Sequence, residues 1–307
     1  MIYEKYIRPH GRQLIAKNLP KLFIKNKIAI VGLPRSGTSW LAKAVSLTEK
    51  TVYYFEPDHD YVSDGSCLYP YLDKLQNNDA LERHIINTFK GNITSEYVIA
   101  EQGIKDILGS ITARNFLVKW VHFPFCLDWI KTTFPDILFT QIIRHPVPLF
   151  LSWATRNWDP SYSLNTILNQ EKLIEGPLKE YKRVMILAKN PWEKAGAYWG
   201  AATYMQYHSQ EDKSLFRTHE WYCESPKERI TWLINKLGLV EKKSLYDFLS
   251  ENREAKPGPG YGRPRRAENE INKWYGKIEK NEYRDLIGII NQFDFPFYDY
   301  FDSTPYD

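Results

Sequence analysis

The feature that most constrains this 307-residue chain is a short apolar strand that leads through a glycine-containing loop into a helix. Residues 27–32 (KIAIVG) are rich in β-favouring side chains, as in a strand buried on both faces. From about Gly37 onward, apolar residues recur at helical spacing. The backbone N–H groups of such a loop and of the helix N-terminus together form a site for phosphate. The loop between Gly32 and Gly37 is therefore predicted to bind a phosphorylated ligand.

Further strand-like segments alternate with helical patterns, which is typical of a parallel α/β sheet. They are predicted at residues 51–55, 116–123, 137–144 and 214–218. One helix is predicted to begin at Pro146 and another to span residues 227–237, before Gly238. The predicted fold class is α/β: a central parallel sheet flanked by helices, with a strand–phosphate-loop–helix nucleotide site and helical insertions.

We interpret residues 1–307 as a single domain, because no internal repeat or long low-complexity stretch divides the chain. Residues 1–26 are predicted to be a packed N-terminal extension, since prolines and a glycine interrupt any surface-binding helix. Residues 57–114 and 155–210 are predicted to be mainly helical insertions that shape a substrate pocket. The glycine- and proline-rich stretch at 256–264 is predicted to be a mobile loop.

Composition argues against several classes of protein. The net charge of +4 is mild and no long basic run occurs, which argues against a nucleic-acid partner. No stretch approaches the roughly 18 apolar residues that indicate a membrane span, and the N-terminus does not resemble a signal peptide. Three widely spaced cysteines argue against a disulfide framework and a zinc site. We expect a cytoplasmic protein with no metal; the oligomeric state is left open.

The loop departs from the pattern of ATP-using enzymes. Gly32 and Gly37 stand five positions apart, as in GxxxxGK[ST], but Thr38 occupies the place of the lysine. The cation of the loop is instead Arg35. Because kinases and ATPases use that lysine at the β- and γ-phosphates, ATP chemistry is disfavoured.

The segment Pro34-Arg35-Ser36-Gly37-Thr38-Ser39-Trp40 resembles the 5′-phosphosulfate loop of sulfotransferases that use 3′-phosphoadenosine 5′-phosphosulfate (PAPS), with the pattern P-[KR]-[SG]-G-[ST]-[ST]-[WFL]. The resemblance implies that Arg35 holds the sulfuryl end of PAPS. It implies that Ser36, Gly37, Thr38 and Ser39 hold the 5′-phosphate and that Trp40 lies near the adenine.

A second motif supports the resemblance. Arg144 ends the fourth predicted strand, and Ser152 follows eight positions later. The same family carries an Arg-x7-Ser pair after this strand, and residues 142–146 (IIRHP) resemble its segment, with His145 at the usual Asn or Asp. The resemblance implies that this pair grips the 3′-phosphate, for which a cation beside a hydroxyl donor is suited.

Two later segments resemble the family more loosely. Residues 217–226 are similar to its Y-E-D-x-x-x-x-P stretch, and His219 falls where a tyrosine often contacts adenine. Arg265 and Arg266 precede Trp274, as a basic pair precedes the tryptophan that closes over the 3′-phosphate, although the spacing differs by a residue or two.

The catalytic candidates are Lys119, Glu56 and His122. Lys119 matches the lysine of the family's K-x-H motif, which implies charge stabilisation at the bridging oxygen. The family's histidine base is replaced by Val121, and His122 is one position late, on the opposite face of a regular strand. Pro124 ends the strand just beyond, which would let the alternation lapse. Glu56, in the F-E-P segment of carbohydrate-type members, is the favoured base; His122 and then His59 are the alternatives.

The acceptor is the least constrained part of the prediction. Glu56, Asp58, Asp60 and Asp64 form an acidic cluster, which is either a solvated loop or the lining of a pocket for a cationic or polyhydroxylated acceptor.

The function expected from the resemblance is transfer of a sulfuryl group from PAPS to a hydroxyl or amine of a small molecule, which leaves 3′-phosphoadenosine 5′-phosphate (PAP). A carbohydrate sulfotransferase is the alternative. A P-loop kinase and a non-catalytic nucleotide-binding module are the rivals from other classes. The candidate residues fall at or near the carboxyl ends of predicted strands, the edge where open parallel sheets bind ligands. These residues are Arg35, Glu56, Lys119, Arg144 and His219.

Overall fold

The computed structural model describes residues 9–18, 24–63, 67–99, 102, 104–250, 271 and 274–295. A five-stranded sheet lies at its centre. Its strands are Asn26–Val31 (β1), Thr51–Phe55 (β2), Asn115–Trp120 (β3), Ile137–Ile143 (β4) and Phe216–Thr218 (β5). The strand order is β2-β3-β1-β4-β5 and every pairing is parallel, so all five carboxyl ends meet at one edge.

Helices surround the sheet. In chain order they are Pro9–Asn18 (α1), Thr38–Ser46 (α2), Pro57–Ser63 (α3), Asp79–Phe89 (α4), Ile104–Gly109 (α5), Leu127–Thr133 (α6), Pro146–Ala154 (α7), Pro160–Leu168 (α8), Glu171–Glu175 (α9), Lys182–Leu187 (α10), Pro191–Ser209 (α11), His219–Glu224 (α12), Pro226–Lys236 (α13), Lys243–Ser250 (α14) and Lys280–Ile290 (α15). Short 3₁₀ turns occupy Ser110–Thr112, Lys179–Tyr181 and Lys213–Leu215. The predicted α/β fold class is confirmed.

The central strand β1 is buried on both faces, which explains its continuous apolar run. Ile28 and Ile30 pack into one layer with α2, α13 and α14. Ala29 and Val31 pack into the opposite layer with α4 and α6. Beyond β4, the helices α7, α8, α11 and α15 bury a further cluster that includes Trp199. Helices on both faces hold the phosphate loop at the exit of a strand enclosed by apolar side chains.

Local capping explains where several helices begin and end. Pro146 opens α7, and the side chain of the preceding His145 accepts a hydrogen bond from the Val147 N–H. Asn190 and Glu193 form a capping box at the start of α11. Gly238 has a φ of +65° just after α13, a conformation that favours glycine.

Two predicted strands exceed the observed ones by more than a single residue. β3 ends at Trp120 rather than Phe123, because the Val121 and His122 N–H groups donate to Asp58 instead of a neighbouring strand. β5 begins at Phe216 rather than Ser214, because residues 213–215 form a 3₁₀ turn capped by Asp212.

The described part of the N-terminal extension packs against the body of the protein. Arg12 donates to the carbonyl of Gln102, and Ala16 clusters with Ile99 and Ile107. The predicted mobile loop at 256–264 and Asp64 lie outside the described residues. Among the helices that the structure describes, none combines the length and apolar character needed to cross a membrane.

Candidate active site

The loop that joins β1 to α2 adopts an unusual backbone conformation. Arg35 has a φ of +75° and Gly37 a φ of +96°, so the left-handed region is visited twice within three residues. Gly37 is the N-cap of α2 and has no side chain, which leaves the first N–H groups of α2 without a side-chain cap. Such turns and helix starts direct backbone donors at an anion.

Close packing around the loop leaves room only for glycine at two positions. A Cβ atom on Gly32 would lie 2.3 Å from the Ile142 carbonyl oxygen and 2.7 Å from Ser36 Oγ. A Cβ atom on Gly37 would lie 2.1 Å from Cδ2 of His219. Ser36 is wholly buried, and its Oγ has no hydrogen-bond partner among the described residues. A buried hydroxyl in a concave loop of N–H donors fits a phosphate group.

The two predicted anion-binding motifs are in direct contact. Arg35 Nε donates to Ser152 Oγ over 2.8 Å, and Arg144 Nη1 donates to the Arg35 carbonyl oxygen over 3.1 Å. The contact arises because β1 and β4 are neighbours, so the residues that follow them share one end of the sheet. The structure thus brings Arg35, Arg144 and Ser152 together at one sheet edge, as the sequence predicts.

Three tryptophans support these motifs, and of these the sequence drew attention only to Trp274. The indole N–H of Trp153 donates to the Pro34 carbonyl over 2.9 Å, and that of Trp199 to the Arg144 carbonyl over 3.0 Å. Trp274 stacks on His145 with ring centroids 4.4 Å apart and planes 22° from parallel. Burial, with the nearby charge of Arg144, lowers the pKa of His145 to about 3, so its ring is neutral at pH 7.

The two residues predicted to lie near adenine are adjacent. The rings of Trp40 and His219 are 6.0 Å apart in an edge-to-face arrangement. His219 is buried against Gly37 and directly follows β5. Together they flank the start of α2.

Lys119 and Glu56 form an ion pair at the end of β2 and β3. The ammonium also donates to Ser39 Oγ over 2.7 Å, which connects the pair to the phosphate loop. The Tyr97 hydroxyl donates to the Glu56 carboxylate. Burial alone would raise the pKa of Glu56, but the charge and hydrogen bond of Lys119, aided by Tyr97, outweigh it and lower that pKa. Glu56 is therefore an anion at neutral pH, and its φ of +42° places it, like Arg35, in the left-handed region.

His122 also reaches this group, because β3 ends before it. Its ring centroid lies 6.0 Å from that of His59 and 5.8 Å from that of Tyr69. Burial lowers its pKa to about 4, against the opposing charge of Glu56, so the imidazole is neutral at pH 7. Its Nδ1 has no hydrogen-bond partner among the described residues. The ring of His59 stacks on Tyr97 at 4.2 Å.

The acidic cluster is not a solvated loop where the structure describes it. Glu56 is held by Lys119 and Tyr97, and Asp60 accepts a hydrogen bond from Ser95 Oγ. Asp58 is wholly buried; burial, followed by the charge of Glu56, raises its pKa to about 8. These carboxyl groups are engaged by protein groups, which the linear sequence could not show.

The basic pair predicted to help bind the nucleotide, Arg265 and Arg266, lies outside the described residues. Trp274 is described, and its indole stacks on His145.

Comparison with known proteins gives distant likenesses to solved structures. No family model and no curated protein matches the chain. Among solved structures, it is similar to the sulfotransferase domain from the Synechococcus PCC 7002 olefin synthase, with 14% identity, a TM-score of 0.49, and coverage of 91% of this chain and 98% of that one. It is also similar to the sulfotransferase domain from the curacin biosynthetic pathway, with 13% identity, a TM-score of 0.42, and coverage of 90% and 100% respectively. Similarity at this level supports no conclusion about function. The function is argued instead from the geometry of the site.

Proposed function

We propose that this protein transfers a sulfuryl group from PAPS to a hydroxyl or amine of a small-molecule acceptor. The observation that carries the proposal is the junction of Arg35, Ser152 and Arg144, which joins a phosphate loop to a second cation–hydroxyl pair. PAPS carries phosphate at both its 5′ and 3′ positions and therefore matches two linked anion sites. ATP, with a single phosphate chain and magnesium, would use a lysine where this loop has Thr38.

The loop residues are assigned to the two ends of the nucleotide. Ser36, Thr38 and Ser39, with the N–H groups at the start of α2, are proposed to hold the 5′-phosphate. Arg144 and Ser152 are proposed to hold the 3′-phosphate through charge-assisted hydrogen bonds. Trp40 and His219 flank the loop on the side proposed for adenine.

When bound, PAPS supplies a sulfuryl group, whose sulfur bonds to the acceptor as its bond to the 5′-phosphate oxygen breaks. Glu56 is the proposed base for the acceptor proton, because Lys119 keeps its carboxylate ionised. Lys119 and Arg35 are proposed to offset the negative charge that grows on the departing phosphate oxygen. The hydrogen bond from Lys119 to Ser39 holds that ammonium beside the phosphate loop.

His122 is the second candidate for the base. Its neutral ring and its Nδ1 without a described partner leave it able to accept a proton. The acceptor is proposed to contact the rings of His59 and Tyr97 beside Glu56. Because Glu56, Asp58 and Asp60 are already engaged, a hydroxyl-bearing acceptor is favoured over one recognised by its positive charge.

The nucleotide assignment is tested by thermal stabilisation. PAP at about 100 times its dissociation constant should add about 2.7 kcal/mol to the free energy of unfolding. ATP with magnesium at the same concentration should add less. Equal stabilisation by the two nucleotides would refute the PAPS assignment.

Transfer of labelled sulfate from PAPS then tests catalysis. Separate panels of small hydroxylated molecules, amines and carbohydrates would distinguish the proposed acceptor class from the carbohydrate alternative. Binding of PAP without transfer to any panel would favour the non-catalytic binding module.

A further inference from the structure

Asp58, the second residue of α3, makes an unusual pair of hydrogen bonds. Its Oδ2 accepts from the consecutive backbone N–H groups of Val121 and His122, each over 2.6 Å. The side chain is wholly buried, and Oδ1 has no hydrogen-bond partner among the described residues. The two amides therefore account for the hydrogen bonds that the structure describes for this carboxyl group.

Two consecutive amides converge on one oxygen only where the chain turns. In an extended strand, successive residues direct their N–H groups to opposite sides. β3 pairs with β1 as far as Trp120, after which the next two N–H groups both face Asp58. Concave pairs of this kind hold an oxygen acceptor, and here the acceptor is a carboxyl oxygen from the neighbouring α3. Asp58 thus fixes the point at which β3 stops.

The end of β3 determines where His122 lies. Along the strand, Leu117 and Lys119 face α2, whereas Val118 and Trp120 pack into the opposite layer. A continued strand would send His122 into the layer of Trp120, away from Lys119. The ring of His122 instead lies near His59 and interacts electrostatically with Glu56 and Lys119.

We propose that Asp58 is a positioning residue that turns His122 out of the β3 alternation and beside Glu56 and Lys119. The catalytic meaning of this placement rests on the proposed function, whereas the placement itself does not. Asp58 acts on the reaction through His122 and has no direct part in it.

The test compares Asp58→Ala with Asp58→Asn and a control on the same helix, Asp60→Asn. The amide oxygen of Asp58→Asn still accepts both N–H groups, whereas alanine accepts none. Histidine ring signals are recorded by NMR across a pH series. The signals that are missing from the spectrum of His122→Asn are assigned to His122. We expect the His122 ring to stay neutral down to about pH 4 in the wild type and in Asp60→Asn. In Asp58→Ala it should shift and titrate nearer its ordinary value of about 6.5.

Turnover provides the second measurement. Because Asp58 acts on the reaction only through His122, Asp58→Ala should lower kcat by about the same factor as His122→Asn, with the KM for PAPS within about twofold. Asp58→Asn should restore most of kcat. If Asp58→Ala does not fold, Asp58→Ser, whose short hydroxyl falls short of both amides, takes its place in every measurement.

The proposal would be overturned by unchanged His122 signals in a folded variant that lacks the hydrogen-bond acceptor at position 58, whatever its turnover. Equal losses of kcat in Asp58→Asn and Asp58→Ala would also overturn it. Absence of sulfate transfer by the wild-type protein would count against the proposed function only, since the ring signals report the placement of His122 without PAPS or an acceptor.

Discussion

Arg35 Nε lies 2.8 Å from Ser152 Oγ, in a hydrogen bond that joins residues 117 positions apart and ties the phosphate loop to α7. The bond holds the guanidinium at the site without a nucleotide, so Ser152 orients a cation as well as offering a hydroxyl. A single residue from the second motif therefore influences both proposed phosphate sites.

Replacement of Ser152 should weaken nucleotide binding. Ser152→Ala removes a hydrogen bond to a charged group, so the affinity for PAP should fall about 10-fold or more, measured by titration calorimetry. Thr155→Ala, one turn further along at the end of α7, is the control, because the Thr155 hydroxyl donates to the Ser152 backbone carbonyl and not to its side chain. Similar losses in the two variants would contradict the role given to the Ser152 hydroxyl.

Arg144→Ala tests the assignment of the 3′-phosphate. The variant should lose affinity for PAP by about 10-fold or more, because a charge-assisted contact is removed. Binding of adenosine 5′-phosphosulfate, which lacks the 3′-phosphate, should change little in a parallel titration. An equal loss for both nucleotides would show that Arg144 supports the loop through the Arg35 carbonyl and does not read the 3′-phosphate.

The choice of base is tested by two near-isosteric replacements. Glu56→Gln should lower kcat by about 100-fold or more, because general-base catalysis contributes at least that factor. His122→Asn should lower kcat by a far smaller factor. Both variants should bind PAP with the affinity of the wild type. Single-turnover rates with saturating PAPS separate the chemical step from binding. A larger loss in His122→Asn would reverse the assignment.

Gly37→Ala should damage both stability and binding. Its φ of +96° disfavours alanine, and the new Cβ would meet His219 at 2.1 Å. Gly238→Ala is a matched control, because its φ is +65° but a Cβ there meets nothing within 4 Å. In urea unfolding, backbone strain should lower the free energy of unfolding of the control by about 1 kcal/mol. Gly37→Ala should lower it by distinctly more. Equal losses would mean that His219 yields easily, and the loop would then be less tightly packed than the structure indicates.

The stability of the protein should fall in mild acid through His145. Its folded-state pKa of about 3 lies below the unfolded value near 6.5, so the unfolded chain binds more protons between these values. The free energy of unfolding should therefore decrease as the pH falls below about 6.5, by up to about 1.4 kcal/mol per pH unit from this group. His145→Asn, which retains a capping side chain, should reduce this dependence in urea unfolding at pH 7.5 and 5.0. The slope that remains includes the contribution of His122, whose pKa burial also lowers. The exposed His208 supplies the control, since His208→Asn should leave most of the slope in place.

The sequence predicts the fold class well because each strand is a short apolar run between turn signals. It also places Arg35, Glu56, Lys119, Arg144 and His219 at one edge, since that follows from parallel topology alone. The structure confirms the parallel sheet and the shared edge. Local pattern was sufficient for both.

The same pattern fails where distant groups decide the conformation. In the sequence, β3 looks like a strand as far as Phe123, and the carboxyl group of Asp58, more than 60 positions away, ends it earlier. The indole donors of Trp153 and Trp199 reach backbone carbonyls far along the chain, and no periodicity marks such bonds. An acidic residue near a strand end looks solvated in the sequence, whereas burial is a property of the fold.

The left-handed backbones of Arg35 and Glu56 place a thermodynamic limit on this site. Each costs about 1 kcal/mol or more relative to a relaxed conformation, and glycine at either position would recover that energy. Glycine would also delete the charge for which the position is proposed to matter. Glycine at these two positions would therefore raise stability only at the expense of the proposed charge interactions, so added thermostability must come from other positions in the chain.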